Sequence, residues 1–219
     1  MGLKNQNNPN SMQIFAILKK EYPTAAIALK HENPFQLLVA TILSAQCTDK
    51  RVNIVTKKLF KKYKKAEDFA NANLRELEKE IYSTGFYHNK AKHIINSAKK
   101  IQSDFSGKVP SAMDELIQLP GVARKTANIV LSGGFGKIDG IAVDTHVLRL
   151  SQRLGFSKNK TPEKIEIDLM EIFLKKDWPA VSNVLIWHGR KICSSRKPFC
   201  TKCALNKLCP SAFKIKGFA

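Results

Sequence analysis

Apolar residues recur along this chain at the spacing of three and four positions that is typical of amphipathic helices. Val52, Val55 and Leu59 follow this spacing, and so do the apolar positions within 91–101 and 165–173. Alternation of apolar and polar residues, which would indicate half-buried strands, is nearly absent. The pattern therefore predicts an all-α protein with roughly ten helices.

Residues suited to capping helix N-termini stand before several of these apolar runs. A capping side chain binds backbone N–H groups that the first turn of a helix leaves without partners. We expect helices to begin at Asn33-Pro34 with Gln36, at Ser111 with Asp114, and at Thr161-Pro162.

The longest glycine-rich interruption is SGGFGKIDG, residues 132–140. It is too short for a disordered linker, so we interpret it as a hinge between two lobes. A phosphate-binding loop is the alternative, but no strand precedes this segment and no Gly-Lys-Ser or Gly-Lys-Thr sequence ends it.

The charge balance indicates a polyanionic partner. Lys and Arg number 37 against 18 acidic residues, which gives a formal net charge of +19. Such an excess attracts DNA, RNA, ribosomes or anionic membranes alike, and a solvated basic face without a partner remains an alternative. The N-terminal segment lacks the apolar core of a secretory signal, and no stretch approaches the ~20 apolar residues of a membrane span. We therefore expect a cytoplasmic, nucleoid-associated protein without a membrane partner.

The most specific motif is an array of four cysteines near the C-terminus. Cys193, Cys200, Cys203 and Cys209 form a C-x6-C-x2-C-x5-C pattern. Disulfides are rare in intracellular proteins that fold unaided. Structural zinc sites usually contain two short Cys pairs, whereas this array contains one. One short pair with two outlying cysteines favours a [4Fe–4S] cluster, with zinc as the alternative. Cys47 lies in an apolar run, and we expect it to be a buried small hydrophobic residue.

A short basic loop lies between the first two cysteines of the array. It contains Arg196 and Lys197, which we expect to contact phosphate oxygens of DNA. A cluster that only stabilises the C-terminal segment is compatible with this interpretation.

Residues 111–131 are typical of a helix-hairpin-helix, with a short helix, the tight turn LPGV and a second helix. Gly121 allows the backbone to approach a phosphate closely, and the N–H groups of Ala123 and Arg124 begin the second helix. Ala123 stands where such hairpins often have a second glycine, but alanine still provides its N–H group. An inert connection between two helices is the alternative.

Two residues could take part in catalysis. Lys125 follows the hairpin turn, where the helix dipole and Arg124 disfavour its charged form and so favour a nucleophilic amine. One more phosphate contact is the simpler interpretation of this lysine. Asp144, in the segment IAVDTH, is suited to cap a helix, and a carboxylate fixed in this way can also stabilise a developing positive charge.

Taken together, these segments resemble the endonuclease III family. LPGVARKTANIV, IAVDTH and the four-cysteine tail occur in the order and approximate spacing of that family, and so do LLVATILSAQCTD at 37–49 and STGFYHNKA at 83–91. The resemblance spans nearly the whole chain. It implies a two-lobed helix-hairpin-helix DNA glycosylase fold: a six-helix barrel domain at 28–136, and an iron–sulfur cluster domain formed by 1–27 and 137–219.

The resemblance also implies an activity. We expect a bifunctional DNA glycosylase and abasic-site lyase of base excision repair that removes oxidised pyrimidines from duplex DNA as a monomer. Lys125 would attack C1′, expel the base and form an imine, after which beta-elimination breaks the strand. Asp144 would stabilise the cationic sugar. Gln46 and Phe86 match the positions that fill the gap left by the everted nucleotide, although a solvent-exposed helix residue and a core aromatic are the simpler interpretations.

Two rival functions remain open at this point. Mismatch glycosylases of the same superfamily share the hairpin and the cluster but usually lack the lysine at position 125. Those that act on adenine carry an acid in the helix that here reads LLVATILSAQ, which contains none. The second rival is a non-catalytic DNA-binding module in which hairpin and cluster serve only as contacts.

Overall fold

The protein is all-helical in the part of the chain that the computed structural model describes, residues 9–215. This part contains eleven α-helices and three short 3-10 helices, and no β-strand occurs within it, so the all-α prediction is confirmed. The α-helices are α1 Ser11–Glu21, α2 Pro34–Leu43, α3 Asp49–Lys62, α4 Ala66–Ala70, α5 Leu74–Ile81, α6 Tyr87–Asp104, α7 Met113–Leu116, α8 Arg124–Phe135, α9 Thr145–Arg153, α10 Pro162–Ile172 and α11 Trp178–Lys191; the 3-10 helices are Tyr82–Thr84, Lys175–Asp177 and Cys200–Lys202.

The chain divides into two compact units. One is the continuous segment Ile27–Asp139, and the other is formed by Met1–Ala26 and Gly140–Ala219, of which residues 9–26 and 140–215 are described. The sequence analysis assigned a barrel domain to residues 28–136 and a cluster domain to residues 1–27 and 137–219. The functions given to these two domains stay a prediction. None of the described helices is both long enough and apolar enough to cross a membrane.

The unit Ile27–Asp139 is built around α2. Every residue of this helix from Phe35 to Leu43 is buried, which explains why its sequence is apolar on all sides. Helix α8 packs against α2, while α4 and α5 pack against α6. The long helix α6 also packs against α2, and its first turn follows the segment that carries Phe86.

In the other unit, α11 packs against α1 and α9, and α10 packs against α9. Three phenylalanines form part of its core: the ring of Phe173 lies 5.2 Å from that of Phe15 and 5.4 Å from that of Phe156. Helix α9 begins at the segment that contains Asp144, and α11 ends next to Cys193. This unit thus positions both the predicted carboxylate and the cysteine array.

The predicted helix starts are confirmed in two cases out of three. The Asn33 side chain accepts a hydrogen bond of 2.9 Å from the backbone N–H of Gln36. Thr161 is the N-cap of α10, although its side chain makes no capping bond. The start at Ser111 was wrong, because α7 begins two residues later with Ala112 as its N-cap. The hydroxyl of Ser111 instead accepts a hydrogen bond of 2.7 Å from Lys137.

The glycine-rich interruption predicted at 132–140 begins within a helix. Helix α8 continues to Phe135 and ends at Gly136, so only the second half of the segment is a loop. A glycine inside a helix costs roughly 1 kcal/mol relative to alanine, but here it permits close packing. A Cβ atom on Gly133 would lie 2.4 Å from Cδ1 of Ile27. The boundary between the two units follows Asp139, within the predicted hinge.

Candidate functional site

A cleft in the unit Ile27–Asp139 gathers three of the predicted DNA-contacting residues. Gln46, Phe86 and Gly121 all line it, although they come from three separate segments of the chain. The remaining lining residues are Thr41, Ile42, Ala45, Asn89, Lys90, His93 and Thr126. The fold therefore brings together, on one surface, residues that the sequence separates by as many as 75 positions (121 − 46).

Gln46 and Phe86 share an unusual backbone conformation. Their φ angles are +52° and +48°, in the left-handed region that residues other than glycine rarely occupy. The core interpretation of Phe86 fails, because this residue is 62% exposed. Gln46 is solvent-exposed, as its simpler interpretation expects, but it lies in the turn after α2 and not in a helix. An exposed phenylalanine held in a strained conformation has no role in the core, which favours a role in binding.

The predicted hairpin is present. Helices α7 and α8 flank a turn in which Gly121 has a φ of +78°. The hydroxyl of Ser97 on α6 donates a hydrogen bond of 2.7 Å to the carbonyl of Pro120, which fixes the turn against that helix. Ala123 is the N-cap of α8 and has no side-chain acceptor for the first N–H groups. The start of α8 can therefore accept an anion without displacing a capping side chain.

Lys125 lies in the first turn of α8, immediately before Thr126 in the lining of the cleft. Its side chain is exposed, and so is that of Arg124. The amine of Lys125 is thus accessible to a ligand at the surface that carries the hairpin.

Asp144 belongs to the other compact unit, at the start of α9. Its Oδ1 atom accepts hydrogen bonds of 2.8 Å from the backbone N–H groups of both His146 and Val147, so the predicted capping role is confirmed. Two bonds to one oxygen fix the orientation of the carboxylate. Within residues 9–215 no hydrogen-bond donor reaches its Oδ2 atom, which leaves this oxygen available to a ligand.

The four cysteines of the array line one cavity, and all four are free thiols. Nevertheless, in residues 9–215 no three metal-binding side chains are close enough together to hold a single ion. Four thiols around one cavity are the donor set of an iron–sulfur cluster, and they are equally a donor set of zinc. Cys47 lies elsewhere, in the turn after α2. It packs against the hydrophobic core, as expected of a small hydrophobic residue, but it is half-buried and not fully buried.

Burial dominates the electrostatics of the cysteine cavity. It raises the pKa of Cys203 to about 11 and also raises the pKa of Cys209. His188 lies 3.4 Å from the sulfur of Cys203 through Nε2, and its Nδ1 lies 3.0 Å from the Tyr22 hydroxyl. Burial lowers the pKa of His188 to about 4, so the imidazole is neutral and can donate one hydrogen bond.

Two arginines hold the loop that follows Cys193. Arg149 donates to the Cys193 carbonyl at 3.0 Å, and Arg153 donates to the carbonyls of Ser194 and Ser195 at 2.7 and 2.8 Å. Arg153 also lies 3.2 Å from the Cys193 sulfur. Sequence reasoning missed these arginines and His188. The sequence does show that Arg149 and Arg153 are four positions apart and therefore lie on one face of a helix. This spacing does not reveal that both side chains bind backbone carbonyls of the cysteine loop.

Arg196 and Lys197 extend from this loop into solvent. The Ser194 hydroxyl donates to the carbonyl of Lys197 at 2.6 Å, and it accepts from the N–H of the same residue at 3.2 Å. The loop is closed on itself, so its two cations are presented from a fixed backbone.

Comparison with protein families gives one match that covers more than half of the chain. The family model described as "HhH-GPD superfamily base excision DNA repair protein" matches residues 39–175. This range includes the cleft, the hairpin, Lys125 and Asp144, and it ends before the cysteine array.

The chain is also similar to named proteins and solved structures over nearly its full length. It is 54% identical over 200 residues to an endonuclease III from Synechocystis, an alignment that covers 91% of each chain. It superposes with a TM-score of 0.91 and 42% identity on a non-covalent endonuclease III–DNA complex, covering 97% of this chain and 98% of the other. The same score and identity are found for a trapped endonuclease III–DNA covalent intermediate in an estranged-adenine complex, with coverage of 97% and 99%.

Proposed function

The chain belongs to the endonuclease III family of the HhH-GPD superfamily of base excision DNA repair proteins, and from this premise we propose how its residues divide the work of repair. It is a DNA glycosylase and lyase that acts on damaged duplex DNA. Within that activity, we propose oxidised pyrimidines as the preferred bases. The supporting feature is the overall similarity to endonuclease III, since the cleft residues alone do not identify a base.

Lys125 is the proposed nucleophile. Its neutral amine attacks C1′ of the damaged nucleotide, the bond from C1′ to the base breaks, and the base leaves with that electron pair and takes up a proton. The sugar ring opens as the imine forms between C1′ and the lysine nitrogen. Loss of a proton from C2′ then drives cleavage of the C3′–O bond, which breaks the strand. The exposed position of Lys125 at the helix start supports this role.

Asp144 is the proposed electrostatic partner of this reaction. The sugar becomes cationic as the base departs, and a fixed carboxylate stabilises that charge without having to reorganise. The two capping bonds to Oδ1 provide the fixed orientation.

Gln46 and Phe86 are proposed to fill the gap that the everted nucleotide leaves in the stack. A base must leave the helix to be reached, and an apolar side chain can enter the vacated step. The 62% exposure of Phe86 and the shared cleft with Gln46 support this proposal. Gly121, Ala123 and Arg124 would hold a phosphate of the same DNA at the start of α8.

Cys193, Cys200, Cys203 and Cys209 are the proposed ligands of a [4Fe–4S] cluster. When bound, the cluster would tie the C-terminal segment together, and no step of the repair reaction passes through it. The basic loop that it fixes presents Arg196 and Lys197, which we propose as phosphate contacts. Action as a monomer also stays a prediction.

A single observation carries the proposal: Gln46, Phe86 and Gly121 line one cleft that continues into the start of the helix bearing Lys125. The test is borohydride trapping on a duplex that contains thymine glycol. Borohydride reduces an imine to a stable amine, so the parent protein becomes covalently attached to DNA, whereas Lys125→Gln stays unattached and leaves the strand intact. Lys99→Gln, which removes one exposed charge from α6, is the matched control and should trap like the parent.

The possible outcomes separate the rival functions. Base release without trapping by the parent protein would indicate a mismatch-type glycosylase that lacks the lysine chemistry. Binding without base release would leave only a DNA-binding module. Strand cleavage by Lys125→Gln at the parental rate would contradict the assignment of this lysine.

A further inference from the structure

Lys90 is a buried cation in the first turn of α6. Its side chain is only 4% exposed, and its Nζ atom donates hydrogen bonds to the carbonyls of Leu43 at 2.8 Å and Thr84 at 2.9 Å. Both acceptors are neutral backbone groups. Lysine is almost never buried to this extent without a partner that holds it.

These two carbonyls end the segments that precede the gap-filling residues. Leu43 is the last residue of α2, three positions before Gln46. Thr84 is the last residue of the 3-10 helix, two positions before Phe86. One ammonium group therefore joins two strained loops that lie far apart in the sequence, at the point where each loop begins.

A buried ammonium is a costly way to connect two loops. Burial lowers the pKa of Lys90, which means that the surroundings disfavour its charge. An apolar side chain of similar length would avoid that cost but would leave two buried carbonyls without a donor. The ammonium group of Lys90 thus loses part of its hydration, and in return one nitrogen atom binds both carbonyls.

The strain in the two loops supplies an independent argument. A residue other than glycine persists in the left-handed region only when its surroundings determine the conformation. Gln46 and Phe86 both adopt this left-handed conformation. Lys90 is the donor that reaches the start of each of their loops.

The same helix also supports the hairpin. His93 and Ser97 follow Lys90 by three and seven positions, so the three residues lie on one face of α6. Ser97 donates to the Pro120 carbonyl at 2.7 Å, and the His93 ring packs against Gly121. Helix α6 therefore determines the spacing of all three segments that line the cleft.

We propose that Lys90 is a positioning residue for eversion of the damaged nucleotide: it sets the distance between Gln46 and Phe86 so that both enter the DNA as one rigid wedge. This inference rests on the gap-filling role proposed for those two residues. It goes beyond that role, because it assigns the geometry of the wedge to a buried side chain that is bonded to two backbone carbonyls.

The test compares Lys90→Met with Lys92→Met, which removes the same charge from an exposed position on α6. Affinity is measured for a duplex with a tetrahydrofuran abasic site and for an undamaged duplex of the same length. A misplaced wedge loses contacts that are made only at the lesion, and about 1.4 kcal/mol of lost contact corresponds to a tenfold change. We therefore expect the ratio of the two affinities to fall roughly tenfold in Lys90→Met. Lys90→Met should bind the undamaged duplex as tightly as the parent does. In Lys92→Met the ratio of the two affinities should equal that of the parent.

A second readout reports the wedge itself. 2-Aminopurine opposite the abasic site becomes more fluorescent when it is unstacked, and we expect that increase to be lost in Lys90→Met and partly regained in Lys90→Arg, which restores two donors. Lys90→Gln is a second variant, which keeps a polar side chain at this position. Its amide is too short to span both carbonyls, so we expect the same result as for Lys90→Met.

Proportional loss of affinity for both duplexes, or an unchanged ratio in Lys90→Met and Lys90→Gln, would overturn the proposal, because a purely structural lysine affects both duplexes alike. Neither readout requires bond cleavage. Failure of the Lys125 chemistry would therefore leave this test intact, and an unchanged ratio would leave the Lys125 assignment intact.

Discussion

Replacing Gly121 by alanine tests whether the hairpin turn holds DNA through its backbone geometry. At a φ of +78° an alanine incurs the left-handed penalty, about 1–2 kcal/mol. Its Cβ would also lie 2.7 Å from Nδ1 and 2.9 Å from Cβ of His93. Because the Cβ of His93 is part of this contact, the ring cannot escape by a movement of its far end alone.

We therefore expect two separable effects. Displacing His93 from its rotamer adds about 0.5–1.5 kcal/mol to the backbone penalty, so the free energy of unfolding should fall by about 1.5–3.5 kcal/mol in total. Gly136→Ala is the matched control, since Gly136 has a φ of +64° and a Cβ added there would meet no neighbouring atom within 4 Å. It should show the backbone penalty alone, about 1–2 kcal/mol.

Urea unfolding followed by circular dichroism gives the stability difference between the two variants, and fluorescence anisotropy gives the affinity for an undamaged duplex. Loss of a phosphate contact worth about 1.4 kcal/mol makes the complex tenfold weaker. We expect the affinity for DNA to fall at least tenfold in Gly121→Ala and to stay unchanged in Gly136→Ala. Equal destabilisation and equal affinity in the two variants would refute both the contact with His93 and the hairpin grip.

Three further predictions concern separate parts of the site. Phe86→Ala should change stability by less than about 0.5 kcal/mol, because the ring is exposed, yet it should weaken binding to abasic duplex; Ile54→Ala, also at an exposed position, is the control, and equal lesion binding by both variants would contradict the wedge. Affinity for undamaged duplex should fall roughly a thousandfold between 50 and 200 mM salt if about six phosphates are contacted, and a flat response would contradict the basic interface. Cys203→Ser should lower bound iron, measured by elemental analysis, and abolish the brown colour expected of the parent, whereas Cys47→Ser should change neither; zinc in place of iron would contradict the cluster.

Much of the fold could be predicted because its signals are local. Helical periodicity, the Asn33 cap and the Asp144 cap each depend on residues a few positions apart, and the structure confirms them. The helix start expected at Ser111 fails because its hydroxyl bonds to Lys137, a partner 26 positions away that no local pattern reveals. The interruption expected at Gly133 fails for a similar reason: close packing against Ile27 favours a helix that the intrinsic propensity of glycine disfavours.

The candidate site shows the same division. Gly121 was expected from the hairpin motif, and Gln46 and Phe86 from the resemblance to endonuclease III; the structure gathers all three in one cleft. What the motifs do not contain is the strain in the first two residues, or the shared donor, Lys90, that holds their loops. Lys90 reaches the first of these loops through a hydrogen bond that spans 47 positions, to the Leu43 carbonyl. Contacts of this kind follow from the tertiary structure and have no periodic signature.

The basic residues illustrate why net charge is a poor measure of DNA contacts. Lys90, Arg149 and Arg153 all donate to backbone carbonyls of their own chain, so three of the 37 cations serve first to fix loops. The loops they fix are those that present the proposed contacts, the wedge in one compact unit and the basic loop after Cys193 in the other. Replacing such a cation should therefore change how well lesions are distinguished more than it changes the salt dependence of binding, whereas replacing Arg196 should do the reverse.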